Sequence, residues 1–253
     1  MTNIGNSSRS APPQVRFSPL LHSARFMVTS SSLENLPVTG LPEIAFVGRS
    51  NAGKSTAINT LCQQRQLAFA SKTPGRTQHI NFFAVGPKDS PSGLLVDLPG
   101  YGYAAVAKTD KKRWQLFLAQ YLAERGPLVG LILLADSRLG LTETDLSLLA
   151  FMAPASVPLH VLLTKADKLN RQEGQRAAQA ARDQLAQHAQ AVGMTAPISL
   201  QLFSATKLSG VESASQLIES WLEEAARPAE GFESDPQSGV ASDLTDDPER
   251  DRS

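Results

Sequence analysis

Residues 48–55 read Gly48-Arg49-Ser50-Asn51-Ala52-Gly53-Lys54-Ser55, the pattern G-x-x-x-x-G-K-S, and the flanks matter as much as the motif. Residues 43–47 (Glu-Ile-Ala-Phe-Val) are a short apolar run of strand character, and residues 55–61 continue with helical composition. A strand that runs through a glycine-punctuated turn into a helix leaves a nest of backbone N–H groups where anions are favoured. The two glycines let the backbone curl around phosphate oxygens. Lys54 is placed for the β- and γ-phosphates of a nucleotide, and the Ser55 hydroxyl for Mg²⁺. The chain is thereby committed to a β–loop–α unit, and such a unit sits at the carboxyl edge of a parallel sheet.

The rest of the chain supplies that sheet. Strand-like runs are expected at residues 43–47, 80–85, 93–97, 129–135, 157–164 and 198–203, with helical segments at 111–125, 142–152, 172–192 and 210–226. This alternation predicts an α/β fold of the P-loop type, a mostly parallel six-stranded sheet with helices on both faces. The pair 80–85 and 93–97 is joined too briefly for a crossover and reads as an antiparallel hairpin. Residues 1–23, rich in Ser and Pro, read as a flexible leader, and 24–226 as the folded domain. Residues 227–253 lack the apolar content to build a core and read as an acidic, disordered tail.

Three further motifs begin at strand ends. Asp97-Leu98-Pro99-Gly100 offers a carboxylate that can hold Mg²⁺ through water and a glycine N–H that can sense a γ-phosphate. Thr164-Lys165-Ala166-Asp167 offers an Asp that can accept from both the ring N–H and the exocyclic amine of guanine, with the Lys165 stem over the base. Adenine lacks that pair of donors, so it would leave the carboxylate unpaired. Phe203-Ser204-Ala205 adds a backbone N–H at Ala205 for the guanine oxygen. Four motifs in this order predict a domain that binds GTP and GDP.

The stretches GRSNAGKS, SKTPGRTQHINFF, DLPGYGYA and TKADKL resemble the EngB (YihA/YsxC) family of bacterial GTPases, within the group of GTPases similar to Era and TrmE. The resemblance covers residues 24–226, and TPGRTQ together with DLPGYGYA is its specific part. It implies a GTPase that hydrolyses GTP to GDP as a switch in assembly of the large ribosomal subunit, needed for normal cell division and septation. The implied partners are ribosomal RNA and ribosomal proteins of that subunit or its precursors, met by a monomer. A division scaffold acting through protein partners is the alternative reading. The loop Gly75-Arg76-Thr77-Gln78-His79 would be a switch, with Thr77 joining Ser55 on Mg²⁺. Thr73 precedes a proline and reads as a turn residue; Arg76 is open to a phosphate or an RNA role.

No catalytic side chain is legible. Where many GTPases carry a water-orienting Gln after the glycine of D-x-x-G, this chain has Tyr101, a departure common in the group it resembles. Related GTPases with Asn at the position of Asn51 use K⁺ near the phosphates. Asn51 is therefore either a K⁺ ligand or a residue that shapes the loop.

Charge and composition narrow the rest. The formal net charge is zero, yet residues 223–253 carry ten acids and three bases, and residues 41–222 carry 18 bases and 13 acids. That excess is either ordinary solvated charge or an RNA-facing surface, to which Lys108, Lys111, Lys112 and Arg113 would contribute. Trp114 reads as a packed residue, and His160 as a buried or half-buried strand residue. The single Cys62 permits no intrachain disulfide and reads as a core residue of the first helix. With no apolar run of membrane-spanning length and no secretory pattern, a cytoplasmic location is expected.

Overall fold

The computed structural model describes residues 15–69, 79–101 and 108–227; of residues 108–114 it describes the backbone alone. Seven strands form one sheet: β1 (Arg25–Ser30), β2 (Glu43–Gly48), β3 (Ile80–Val85), β4 (Gly93–Asp97), β5 (Leu128–Asp136), β6 (Leu159–Thr164) and β7 (Ile198–Leu202). Their order is β1-β3-β4-β2-β5-β6-β7. The pairs β1–β3 and β3–β4 are antiparallel, and every pairing from β4 through β7 is parallel. The expected hairpin is present, with Asn81 opposite Asp97.

The expected count of six strands is corrected to seven. The strand not expected, β1, is an edge strand on which Phe26 and Met27 are both exposed and the register slips between Phe26 and Val28. With one free edge and that slip, its sequence shows no inside–outside alternation. The other boundaries move by a few residues. Pro158 has no N–H to give to a ladder, and β6 begins at Leu159 rather than at 157.

Helices cover both faces. Strand β2 sends Ala45 and Val47 to one side and Ile44 and Phe46 to the other, all fully buried. The first side packs against α3 (Lys108–Glu124), α4 (Glu143–Met152) and α5 (Arg171–Val192) through Leu118, Tyr121, Leu149, Ala181 and Leu185. The second packs against α1 (Pro19–His22), α2 (Lys54–Leu61) and α6 (Val211–Ala226) through Leu21, Ile58, Leu61 and Ile218. Cys62 lies in this second core, where burial pushes its thiol up to about 12.

Residues 15–23, read from the sequence as leader, belong to that core as well. Leu21 is fully buried, Val15, Phe17 and Leu20 pack beside it, and Ser18 both caps α1 and donates to Glu219 on α6. Residues 1–14 and the tail from 228 onward lie outside the described residues. From β2 the chain passes β4 to reach β3, whereas from β4 it passes β2 to reach β5, so these crossovers run to opposite sides of the sheet. The crevice at the carboxyl end of β2 is where a ligand finds room, and the loop 48–55 occupies it.

Candidate functional site

The carboxyl ends of β2, β4, β6 and β7 bring the four sequence motifs to one edge of the sheet. Two glycines make the first loop possible. A Cβ on Gly48 would sit 2.6 Å from the Leu134 carbonyl oxygen, so only glycine lets β2 pass β5 here. Gly53 caps α2 with φ +90°, a conformation that favours glycine. Between them Asn51 is left-handed at φ 66°, and among the described residues its exposed side chain has no hydrogen bond. Its loop-shaping role thus comes from backbone tolerance of the left-handed region, not from side-chain bonds.

The loop is held from behind. Thr164 Oγ1 lies 2.6 Å from the Ala52 carbonyl oxygen and 3.1 Å from that of Ala135. Lys165 Nζ donates to the Asn51 carbonyl at 2.7 Å and pairs with Asp136 Oδ2 at 2.9 Å. Arg138 grips the same carboxylate with Nε at 2.9 Å and Nη2 at 2.7 Å. These bonds from Arg138, with Lys165 behind them, hold the Asp136 carboxyl well below the usual carboxylate range. The Asn51 and Ala52 carbonyls of the loop are therefore engaged by side chains of residues 164–165. Among the described residues, the N–H groups of Asn51, Gly53, Lys54 and Ser55 have no acceptor. Donors at a helix N-terminus in this array suit a phosphate chain.

Lys54 forms an ion pair with Asp97, both nearly buried, at the centre of the site. The Ser55 hydroxyl has no partner among the described residues and stands one residue into α2. A serine hydroxyl and a carboxylate are hard-oxygen donors of the kind that Mg²⁺ takes. Leu98, Pro99 and Gly100 continue β4 toward the loop, with Leu98 N–H donating to the Phe46 carbonyl at 3.0 Å.

At the other end, Asp167 and Ser204 are joined directly: Ser204 Oγ donates to Asp167 Oδ1 at 2.6 Å. That bond leads the effects holding the Asp167 carboxyl below its ordinary range, so it stays an acceptor. Ala166 N–H donates to the Phe203 carbonyl at 3.1 Å, and Phe203 is buried beneath. The N–H of Ala205 has no acceptor among the described residues. Asp167 thus offers a carboxylate and Ala205 an amide without an acceptor among the described residues, the two kinds of group a guanine edge pairs with.

His79 is exposed just before β3, whereas Gly75, Arg76, Thr77 and Gln78 lie outside the described residues, as do Thr73 and the side chain of Trp114. His160 is buried as expected. Sequence reading passed over three residues that the fold brings to the site. Asp136 and Asp145 sit at element ends where acids read as ordinary caps. Asn59 is the third: its side chain accepts from Leu67 and Ala68 N–H at 3.1 and 2.7 Å and donates to the Ala68 carbonyl at 2.8 Å. It pins residues 67–68, after α2, back to that helix, and a polar residue inside a helix was the available signal.

Known proteins resemble this chain in sequence and fold. The profile of the family described as 50S ribosome-binding GTPase matches residues 43–165. "Probable GTP-binding protein EngB" of Burkholderia vietnamiensis is 53% identical over 219 residues, 84% of this chain and 96% of that protein. The chain belongs to the EngB family of GTP-binding proteins. The protein of the same name from Burkholderia multivorans is 55% identical over 210 residues, covering 80% of this chain and 92% of that one. The crystal structure of a probable GTP-binding protein EngB superposes with a TM-score of 0.53 at 18% identity, over 72% of this chain and 99% of that one; it shows the shared fold. This EngB-family chain is a GTPase with a P-loop domain that binds GTP and GDP. Among its described residues no helix is long and apolar enough to cross a membrane.

Proposed function

We propose that this EngB-family GTPase is a GTP-gated factor that binds the large ribosomal subunit during its assembly. The observation that carries this reading is the family profile of ribosome-binding GTPases over residues 43–165, which include the phosphate loop and the D-x-x-G motif. The basic excess of residues 41–222 supports it, since RNA phosphates attract such a surface. The reading extends to a cytoplasmic monomer with an acidic tail after residue 227, and to cell division and septation that depend on ribosome supply.

In this reading Gly48 to Ser55 wrap the phosphates, Lys54 leaves Asp97 for the β- and γ-phosphates, and Gly100 meets the γ-phosphate. Ser55 and Thr77 would hold Mg²⁺ directly, and Asp97 through water. The ion supplies charge neutralisation between the β- and γ-phosphates. Residues 75–79 respond to the γ-phosphate as a switch. Thr164 and Lys165 hold the loop and cover the base, Asp167 accepts from guanine, and Ala205 N–H faces its oxygen. Asn51, exposed beside the loop, would ligate K⁺; equal hydrolysis rates in K⁺ and Na⁺ would remove that assignment.

Sucrose-gradient sedimentation with purified large subunits tests the whole. Binding strongest with a nonhydrolysable GTP analogue, weaker with GDP and lost in Lys54→Ala, is expected. No co-sedimentation in any nucleotide state would refute ribosome binding and favour the division scaffold.

A further inference from the structure

Tyr101 stands where a water-orienting Gln stands in other GTPases, yet its side chain goes the other way. It is buried, and its hydroxyl donates to Asp145 Oδ1, itself almost without solvent contact. Burial, reinforced by the Asp145 carboxylate, raises the Tyr101 phenol well above its ordinary range, so it remains a donor. Asp145 is already engaged through its other oxygen. Oδ2 accepts from Thr142 N–H and Thr142 Oγ1, both at 2.7 Å, which closes the capping box of α4. Tyr101 thus completes the pairing of a buried carboxylate that organises the first turn of a helix.

The backbone of the same residue is tied to the phosphate loop. Tyr101 N–H donates to the Gly48 carbonyl at 3.2 Å, and Ser50 N–H donates to the Tyr101 carbonyl at 2.7 Å. This bridge, Arg49 opposite Tyr101, is one residue out of step with the β2–β4 ladder, where Phe46 faces Asp97. Leu98, Pro99 and Gly100 absorb the extra residue. The segment after D-x-x-G is therefore fastened at both ends of one residue, to the loop by its backbone and to α4 by its hydroxyl. The fastening occupies an amide of the phosphate loop itself, that of Ser50. Tight engagement of a γ-phosphate by this loop and by Gly100 therefore competes with it.

We propose that Tyr101 is a positioning residue, a latch that joins the segment after D-x-x-G to the N-terminus of α4 and is released when the γ-phosphate is bound. Release costs little at the α4 end, because Asp145 borders a cleft of about 200 Å³ beside Arg49, Asp136 and Arg138, where water can replace the phenol. The nucleotide state is then read out at α4, the helix whose first turn borders the phosphate loop. This inference depends on the GTPase activity and not on any ribosome contact, so the two readings fail separately.

Nucleotide affinities and hydrogen exchange test it. Tyr101→Phe keeps shape and burial but orphans Asp145 Oδ1 in the latched state only. Its affinity for a nonhydrolysable GTP analogue relative to GDP should rise about fivefold, at unchanged GDP affinity. Asp145→Asn, a weaker acceptor, should shift the same ratio in the same direction, and the two changes should combine to less than their product. In the unaltered protein, amides of residues 139–150 should exchange faster with the analogue than with GDP. A residue that merely fills space would move neither the ratio nor the exchange. An unchanged or lowered affinity ratio in Tyr101→Phe overturns the latch. So does exchange at 139–150 that is indifferent to nucleotide, a result that needs no variant to fold.

Discussion

Acid should weaken this fold through one residue, His160. The residue lies 4% exposed near the start of β6, with Nδ1 2.7 Å from Ser199 Oγ and Nε2 without a hydrogen bond among the described residues. Burial lowers its pKa from 6.5 to about 4, and a polar neighbour, Gln201, offsets only part of that. The unfolded chain takes up the proton below pH 6.5, while the folded chain stays neutral down to about 4. Stability is therefore fully present above pH 6.5 and is lost as the pH falls from 6.5 toward 4. At roughly 1.4 kcal/mol per pH unit the whole interval is worth about 3 kcal/mol, and near pH 5.5 about 1.4 kcal/mol is already gone. Urea unfolding of the protein and of His160→Leu, between about pH 8 and 5, isolates this contribution. Ser199 is exposed enough to turn to water, so the variant removes the ring without stranding its partner. The difference in unfolding free energy between the two proteins should change by about 1.5 to 2 kcal/mol across that range, in favour of the variant at low pH. A difference that does not vary with pH would refute the reasoning.

Three substitutions address the sheet and the scaffold of the site. Arg125 reaches the fully buried Glu43 with Nε at 2.9 Å and Nη2 at 2.5 Å, so Arg125→Ala should destabilise by about 3–5 kcal/mol in denaturant unfolding. Thr164→Val removes the hydroxyl that meets the Ala52 carbonyl at 2.6 Å and leaves that carbonyl unpaired. It should weaken GDP and GTP-analogue binding alike, by about tenfold in a fluorescent-nucleotide titration, for a loss of ~1–2 kcal/mol. Asp136→Asn takes from Lys165 its carboxylate partner at 2.9 Å and should lower GDP affinity by about three- to tenfold, with melting temperature as the control for folding.

Much of this protein is local chemistry and shows in one dimension. The phosphate loop is legible because each of its positions answers a local need: Gly48 for close passage, Gly53 for a left-handed turn, Lys54 and Ser55 for charge and a hydroxyl. Asp167 and Ser204 each follow a strand-like run and were legible as motif residues, whereas the hydrogen bond between them came from the parallel pairing of β6 and β7. β1 was illegible because an exposed edge strand with a register slip carries no periodic signal. The packing of residues 15–23 was hidden by their Ser and Pro content, though four apolar side chains in that stretch find the face of α2 and α6.

The sequence by itself determined the nucleotide-binding unit, its guanine selectivity motifs and the alternating α/β plan, because these depend on residue type at short spacing and on hydrophobic period. Only the tertiary structure decided the partners of long-range polar groups: Asp145 with Tyr101, Asp136 with Lys165 and Arg138, Glu43 with Arg125. A carboxylate at a helix start looks like any other cap until the sheet order sets a phenol against it. Burial then turns that contact from an option in water into a requirement.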